Sequence, residues 1–279
     1  MSKYYKVQKT TVKSAGKEIK LLILKPTKNR RPREETPGIL WIHGGGYITG
    51  MAEMVYISRA MALVKKFGVV VVAPEYRLSK EAPYPAALLD CYTALKYIKN
   101  NGAELGINTS QIMVGGESAG GGLAAAVCMY ARDKGEVNIA FQMPLYPMLD
   151  DRDTPSSQNN HAPVWNTKRN HIGWKAYLGE FWKKEVPAYA APARQTDYSN
   201  LPPAYTFVGD IEPFYWETLM YIENLKKAGV EAKADVYPNC FHAFDMLLPT
   251  KKISRKAIAE FEKNYLYAAK HYFAKQKDT

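Results

Sequence analysis

A chain of 279 residues, 47% hydrophobic and 23% charged, falls in the ordinary globular range and is long enough to bury a sizeable core. No apolar run approaches the ~18–20 residues that cross a bilayer, residues 1–9 lack the apolar stretch of a secretory signal, and three widely spaced cysteines (Cys91, Cys128, Cys240) suit neither a disulfide framework nor a zinc cage. The formal charge of +11 is spread over the N-terminal strands and the C-terminal helix with no recognition motif in it, so nucleic-acid binding and stable membrane insertion are not expected, and a reducing cytoplasm suits the thiols.

Residues 4–12 and 17–25 alternate polar and apolar positions around Ser14-Ala15-Gly16, which predicts an edge hairpin. A charged, proline-containing loop is expected over 30–36. The short apolar run 38–42 ends in a glycine cluster and predicts a strand buried on both faces. A helix over 53–67, closed by Gly68, leads to Val69-Val70-Val71-Val72-Ala73, the clearest buried strand in the chain. Helical spacing over 84–100 stops at Asn101-Gly102. Residues 112–115 read as a strand and 120–132 as an Ala-rich helix. Strands over 141–147, 204–209 and 232–237 follow, with a helix over 213–228 between the last two and an amphipathic helix over 252–274.

This alternation predicts an α/β fold with a mostly parallel central sheet flanked by helices, as a single domain over 1–279. The alternation stops over about 150–200. There Trp165, Trp174, Tyr177, Trp182 and Tyr189 mark an insertion with one helix near 170–181, lying over one end of the sheet.

Gly116-Glu117-Ser118-Ala119-Gly120 matches G-x-S-x-G and joins a predicted strand to a predicted helix. A tight turn in that setting projects a serine hydroxyl above the sheet, and small flanking residues let the helix pack close to the strand. Upstream, His43-Gly44-Gly45-Gly46-Tyr47 follows the strand 38–42. Its glycines can aim backbone N–H groups of Gly44, Gly45 and Gly46 into a cavity, where a tetrahedral oxyanion needs preorganised donors; Ala119, at a helix N-terminus, adds another. Neither G-x-G-x-x-G nor a GK[ST] ending is present, which argues against a nucleotide loop.

A serine hydroxyl needs a base. Of the five histidines, His43 belongs to the glycine loop, His161 and His171 fall in the insertion, and His271 lies in the terminal helix. His242 follows the last predicted strand, where the chain order Ser…acid…His places the base. The acid belongs after the preceding strand, where Asp210 and Glu212 are both candidates, with Asp150, Asp151 and Asp153 as a further option. Cys240, two residues before His242, is a weaker nucleophile candidate than Ser118, whose turn chemistry is far better.

With these blocks in place, the chain resembles the hormone-sensitive-lipase-like carboxylesterases of the α/β-hydrolase superfamily. The resemblance runs from about Pro37 to Phe244 and includes Glu75-Tyr76-Arg77-Leu78, Tyr84-Pro85-Ala86-Ala87, Leu201-Pro202-Pro203-Ala204 and Phe241-His242-Ala243-Phe244. It implies a serine esterase with Ser118, His242 and an acid directly before a proline, which favours Glu212 over Asp210; the family's usual residue there is Asp. Glu117 then supports the loop, and Glu75 reads as structural, pairing with Arg77.

Family members commonly carry a longer leader that contributes to a cap. The cap expected here comes mainly from 150–200, giving a reduced lid and an open pocket lined in part by its aromatics. The resemblance implies a small-molecule ester as substrate, short-acyl by the absence of a long apolar lid, and no cofactor or metal. A deacetylase of acetylated carbohydrates or an amidase would use the same triad, and a non-catalytic binding module would keep the pocket alone. A homodimer through an edge strand or the C-terminal helix is compatible with the sequence.

Overall fold

In the computed structural model, which describes residues 3–27 and 35–277, the alternating N-terminal stretches pair as β1 (Tyr5–Ser14) and β2 (Lys17–Pro26), an antiparallel hairpin at one edge of the sheet. Most of the loop expected over 30–36 lies outside the described residues. Then follow β3 (Pro37–Ile42), a 3-10 turn (Ala52–Tyr56), α1 (Arg59–Phe67), β4 (Val70–Pro74), α2 (Ala86–Asn100), α3 (Gly102–Leu105), β5 (Asn108–Glu117), α4 (Ala119–Lys134) and β6 (Phe141–Leu145). After the insertion, which holds α5 (Thr167–Leu178), come β7 (Ala204–Gly209), α6 (Tyr215–Lys227), β8 (Ala232–Tyr237), α7 (Phe244–Leu247) and α8 (Lys252–His271).

The eight strands form one sheet in the order β1-β2-β4-β3-β5-β6-β7-β8. β2 joins β4 antiparallel, and every later pairing is parallel. Because successive side chains of a strand point to opposite faces, each buried strand feeds both layers of core. Leu40, Ile42, Val70 and Val72 pack with Leu95, Leu123 and Leu225 of α2, α4 and α6. Ile39, Trp41, Val71 and Ala73 pack with Leu63 of α1 and Phe261 and Tyr265 of α8. The fold class read from the sequence is the one observed.

Several element ends differ from the sequence reading. The helix expected over 53–67 is broken, because the Ser58 hydroxyl donates to the Val55 carbonyl and accepts the Ala60 N–H at 3.1 Å, capping a new helix at Arg59. The helix expected from 84 starts at Ala86, with Pro85 at its N-cap outside helical geometry (φ −98°, ψ 16°). β5 is longer than 112–115, paired with β3 back to Asn108. β6 ends at Leu145 rather than 147, where Tyr146 turns to a φ of 33°. The insertion's helix begins at Thr167, capped by the Asn166 side chain, and ends before Gly179 rather than at 181. α8 stops at His271 rather than at 274.

Candidate active site

Ser118 sits between the last residue of β5 and the first of α4, with φ 60° and ψ −123°. A non-glycine residue holds that strained conformation only when its surroundings over-determine it. Here the Ser118 N–H donates to the Leu145 carbonyl, and its own carbonyl accepts from the N–H groups of Gly122 and Met148, each at 3.0 Å. The flanking glycines are required by close approach: a Cβ at Gly116 would stand 2.5 Å from the carbonyl oxygens of both Ile42 and Gly120. The nucleophile turn therefore comes from sterics written in three small residues, Gly116, Ala119 and Gly120, around one serine.

His242, in the loop after β8, is buried between the ring edges of Tyr146 and Phe214, both with centroids 5.1 Å away. Its Nε2 lies 2.9 Å from Ser118 Oγ, and its Nδ1 makes a short hydrogen bond to Glu212 Oε2. A carboxylate only accepts, so the imidazole proton resides on Nδ1 and Nε2 is left to accept from the serine hydroxyl. Glu212 is fully buried after β7, and its other oxygen accepts the Gly209 N–H at 3.1 Å.

Asp210, the alternative acid, is exposed and accepts instead the N–H of Asn239 at 2.7 Å. The third acid option is equally distant in role: Asp150 pairs with Arg152, Asp151 with Arg194 and Asp153 with His171. The structure thus brings Ser118, His242 and Glu212 together, and leaves the other carboxylates elsewhere. Cys240 is buried, and burial pushes its thiol up to about 11, away from thiolate chemistry.

The glycine loop packs directly on the nucleophile turn. A Cβ at Gly44 would lie 2.8 Å from the Glu117 carbonyl oxygen and 3.1 Å from Ser118 Cβ. Gly45 and Gly46 have φ values of 121° and 60°, the left-handed side that glycine adopts without strain. Their N–H groups and that of Gly44 donate to no protein acceptor among the described residues, and Ala119 opens α4, where an N–H has no intrahelical partner. His43 holds this loop, its Nδ1–H donating to the Gly44 carbonyl at 2.8 Å while its ring stacks on Tyr76. Burial pushes His43 down to about 4, so its imidazole is neutral.

A cavity of about 270 Å³ opens beside Ser118 and His242. Its walls come chiefly from two segments that the sequence reading did not assign to the site: the 3-10 turn and the residues after it (Met54, Val55, Ile57), and α7 (Met246, Leu247). Of the five insertion aromatics singled out from the sequence, only Trp165 lines it, beside Val164. Trp174 and Tyr177 are instead buried against Tyr47, with ring centroids 5.6 and 3.9 Å away. The signal missed was Ser58, a capping residue in the middle of an apparent helix, which frees Met54–Ile57 to turn toward the site.

Two supporting residues also differ from expectation. Arg77 pairs with Asp90, through Nε and Nη2 at 2.9 and 2.7 Å, and not with Glu75. Glu75 accepts the Ala52 N–H at 2.6 Å, fixing the start of the 3-10 turn. Glu117 does support the nucleophile turn: its oxygens accept from Trp41 Nε1 at 2.7 Å and from the Arg59 N–H at 3.1 Å.

The alpha/beta hydrolase fold family matches residues 39–246. Esterase LipI of Mycobacterium tuberculosis is 34% identical over 212 residues, covering 75% of this chain and 66% of that protein. Carboxylesterase NlhH of the same species is 32% identical over 218 residues, covering 76% and 67%. The chain therefore spans about two thirds of the length of these relatives. Among solved structures, a bacterial heroin esterase superposes with a TM-score of 0.90 at 36% identity, covering 95% of this chain and 85% of that one.

Proposed function

The chain belongs to the α/β-hydrolase family, in its hormone-sensitive-lipase-like branch, and on that premise we propose that it is a carboxylic-ester hydrolase cleaving small, short-acyl esters through an acyl-enzyme. The observation that carries this reading is the continuous hydrogen-bonded run from Ser118 Oγ through His242 to Glu212.

Ser118 Oγ attacks the ester carbonyl as its proton passes to His242 Nε2. Glu212, accepting from Nδ1, keeps the ring in the required tautomer and stabilises the imidazolium. The tetrahedral oxyanion accepts from the N–H groups of Gly45, Gly46 and Ala119, with Gly44 beside them; one such donor is typically worth ~3–4 kcal/mol. Collapse breaks the ester C–O bond, and His242 returns its proton to the leaving alkoxide. Water, deprotonated by the same nitrogen, then attacks the acyl-enzyme, releases the acid and restores Ser118. Every step uses groups of this chain and water.

The apolar walls support an ester with a compact apolar acyl or alcohol group over an acetylated sugar. Sugar hydroxyls buried against Met54, Val55, Ile57 and Leu247 would lose water partners without replacement. Among the described residues, no helix is long and apolar enough to cross a membrane. Three buried free cysteines accord with the reducing cytoplasm in which we place the protein.

Turnover of nitrophenyl esters of increasing acyl length, by the wild type and Ser118→Ala, tests the reading. It predicts activity that peaks at short acyl chains and is lost in the variant. A peak at long chains would overturn the substrate class, and a fully active variant would overturn the mechanism.

A further inference from the structure

Behind the cavity lies a buried ionic group that no catalytic step uses. Arg59 opens α1, Glu117 immediately precedes the nucleophile, and Asp245 lies in α7, three residues after His242. All three are buried, Asp245 completely. Glu117 accepts the backbone N–H of Arg59, and Arg59 Nε stands 3.2 Å from Asp245 Oδ2.

Burying one guanidinium with two carboxylates is a poor route to stability, because desolvation offsets much of the attraction. The Arg59 contact to Asp245 is ionic rather than an aligned hydrogen bond, and Tyr146 faces the same carboxylate. What the group does accomplish is geometric. It joins three segments far apart in sequence: the nucleophile turn, the start of the helix that follows one cavity wall, and the short helix that carries the base loop into the other wall. Between His242 and Asp245, moreover, Ala243 has a φ of 59°, a left-handed conformation that a non-glycine residue keeps only under external restraint.

Resting on the hydrolase reading above, we propose that Arg59, Glu117 and Asp245 form a buried positioning clamp that holds the His242 loop and both apolar walls in register with Ser118. Arg59 and Asp245 lie outside the cavity lining, and Glu117, which borders it, has both carboxylate oxygens engaged by Trp41 Nε1 and the Arg59 N–H. Arg59 is the hub, Asp245 tethers the strained turn after the base, and Glu117, next to Ser118, ties the hub to the nucleophile turn through the Arg59 N–H. Loss of the clamp lets Nε2 drift from Oγ, which lowers the chemical step more than it weakens binding of a small ester.

The test uses the near-isosteric variants Glu117→Gln and Asp245→Asn, with Arg59→Gln as the variant most prone to unfold. Steady-state hydrolysis of nitrophenyl acetate is measured beside Ser118→Ala, together with amide hydrogen exchange over 242–248. The clamp predicts a kcat about tenfold or more below wild type in both isosteric variants, with KM within about twofold. It also predicts faster exchange over 242–248 in Glu117→Gln, although Glu117 makes no hydrogen bond to that segment. In the double variant Arg59→Gln/Asp245→Asn, the loss should fall short of the product of the single losses, as expected for members of one network.

Unchanged kcat in both isosteric variants, or unchanged exchange over 242–248 in Glu117→Gln, would overturn the clamp. Absence of Ser118-dependent turnover in the wild type would instead overturn the hydrolase reading, and the exchange measurement would then decide the clamp alone.

Discussion

The two ends of the cavity are built on opposite terms. At the reacting end, Ser118, His242 and Glu212 are buried polar groups, each held by hydrogen bonds to a strand end or a turn of the central sheet. At the far end, Ile57 and Leu247 are apolar side chains left more than half exposed, carried by a 3-10 turn and a four-residue helix. The reacting end is rigid because buried polar groups are costly unless paired, so each position admits few residues. The walls need only be apolar and of suitable size, so chemistry and selectivity are separable in this protein.

That contrast can be broken most severely at the acid. Glu212→Gln should lower kcat by about 10³–10⁴-fold, since the amide cannot stabilise the imidazolium and can impose the wrong tautomer. Asp210→Asn should stay near wild type, because its carboxylate serves only the Asn239 N–H. Equal losses in the two variants, measured with one nitrophenyl ester, would remove the distinction drawn between these acids.

A second, smaller break is at the glycine loop. Gly46→Ala introduces a Cβ that meets the Trp165 ring, at a residue whose φ is 60°. Displacing one oxyanion donor in this way should cost about 10²-fold in kcat. Stopped assays at saturating ester separate this from an effect on KM.

At the walls the expected effect is smaller again and selective. Leu247→Trp, which narrows the cavity, should reduce kcat/KM for a butyrate ester about tenfold while leaving the acetate ester within about twofold. A uniform loss on both esters would mean that the Leu247 side chain itself bears on the chemistry and that the two ends are not separable.

A last effect concerns stability and its pH dependence, and leaves the chemistry aside. Burial, only partly offset by the Arg59 N–H, Trp41 and the Arg59 charge, pushes the Glu117 carboxyl up from 4.5 to about 7, while the nearby Asp245 charge raises it further. A folded-state pKa above the unfolded one means that the native chain holds the proton more tightly, so the contribution is full below about 4.5 and is lost as pH rises through about 7. The unfolding free energy of the wild type relative to Glu117→Gln should therefore fall between those limits, by at most about 3 kcal/mol. Urea titrations across pH 5 to 8 check this; a constant difference would show that Glu117 does not titrate in that window.

How far the sequence carried the reading follows the same division. Strands such as β4, with consecutive valines, and the turn around Ser118, with glycines dictated by backbone contact, are specified locally and were read correctly. His242 and the pair Asp210/Glu212 were located by chain order, but choosing between the acids needed either a resemblance or the fold, because both lie within three residues of the end of β7. Glu75 was paired with the wrong partner, since Asp90 approaches Arg77 only once α2 packs against the sheet. Of the walls, only Trp165 was anticipated. Met54 and Ile57 keep helical spacing with α1, and only the Ser58 cap reveals that the helix is interrupted. Local backbone chemistry was legible, whereas contacts between distant segments, including Arg59 with Asp245, were not.

The most direct test of the account is rapid quenching of the protein with nitrophenyl acetate, followed by mass spectrometry of its peptides. The account predicts a transient acetyl group on the peptide holding Gly116-Glu117-Ser118-Ala119-Gly120, located at Ser118 and accumulating further in Glu212→Gln if deacylation slows more than acylation. Steady ester turnover with the acetyl group on another residue, or with no acyl-enzyme and full activity in Ser118→Ala, would contradict it.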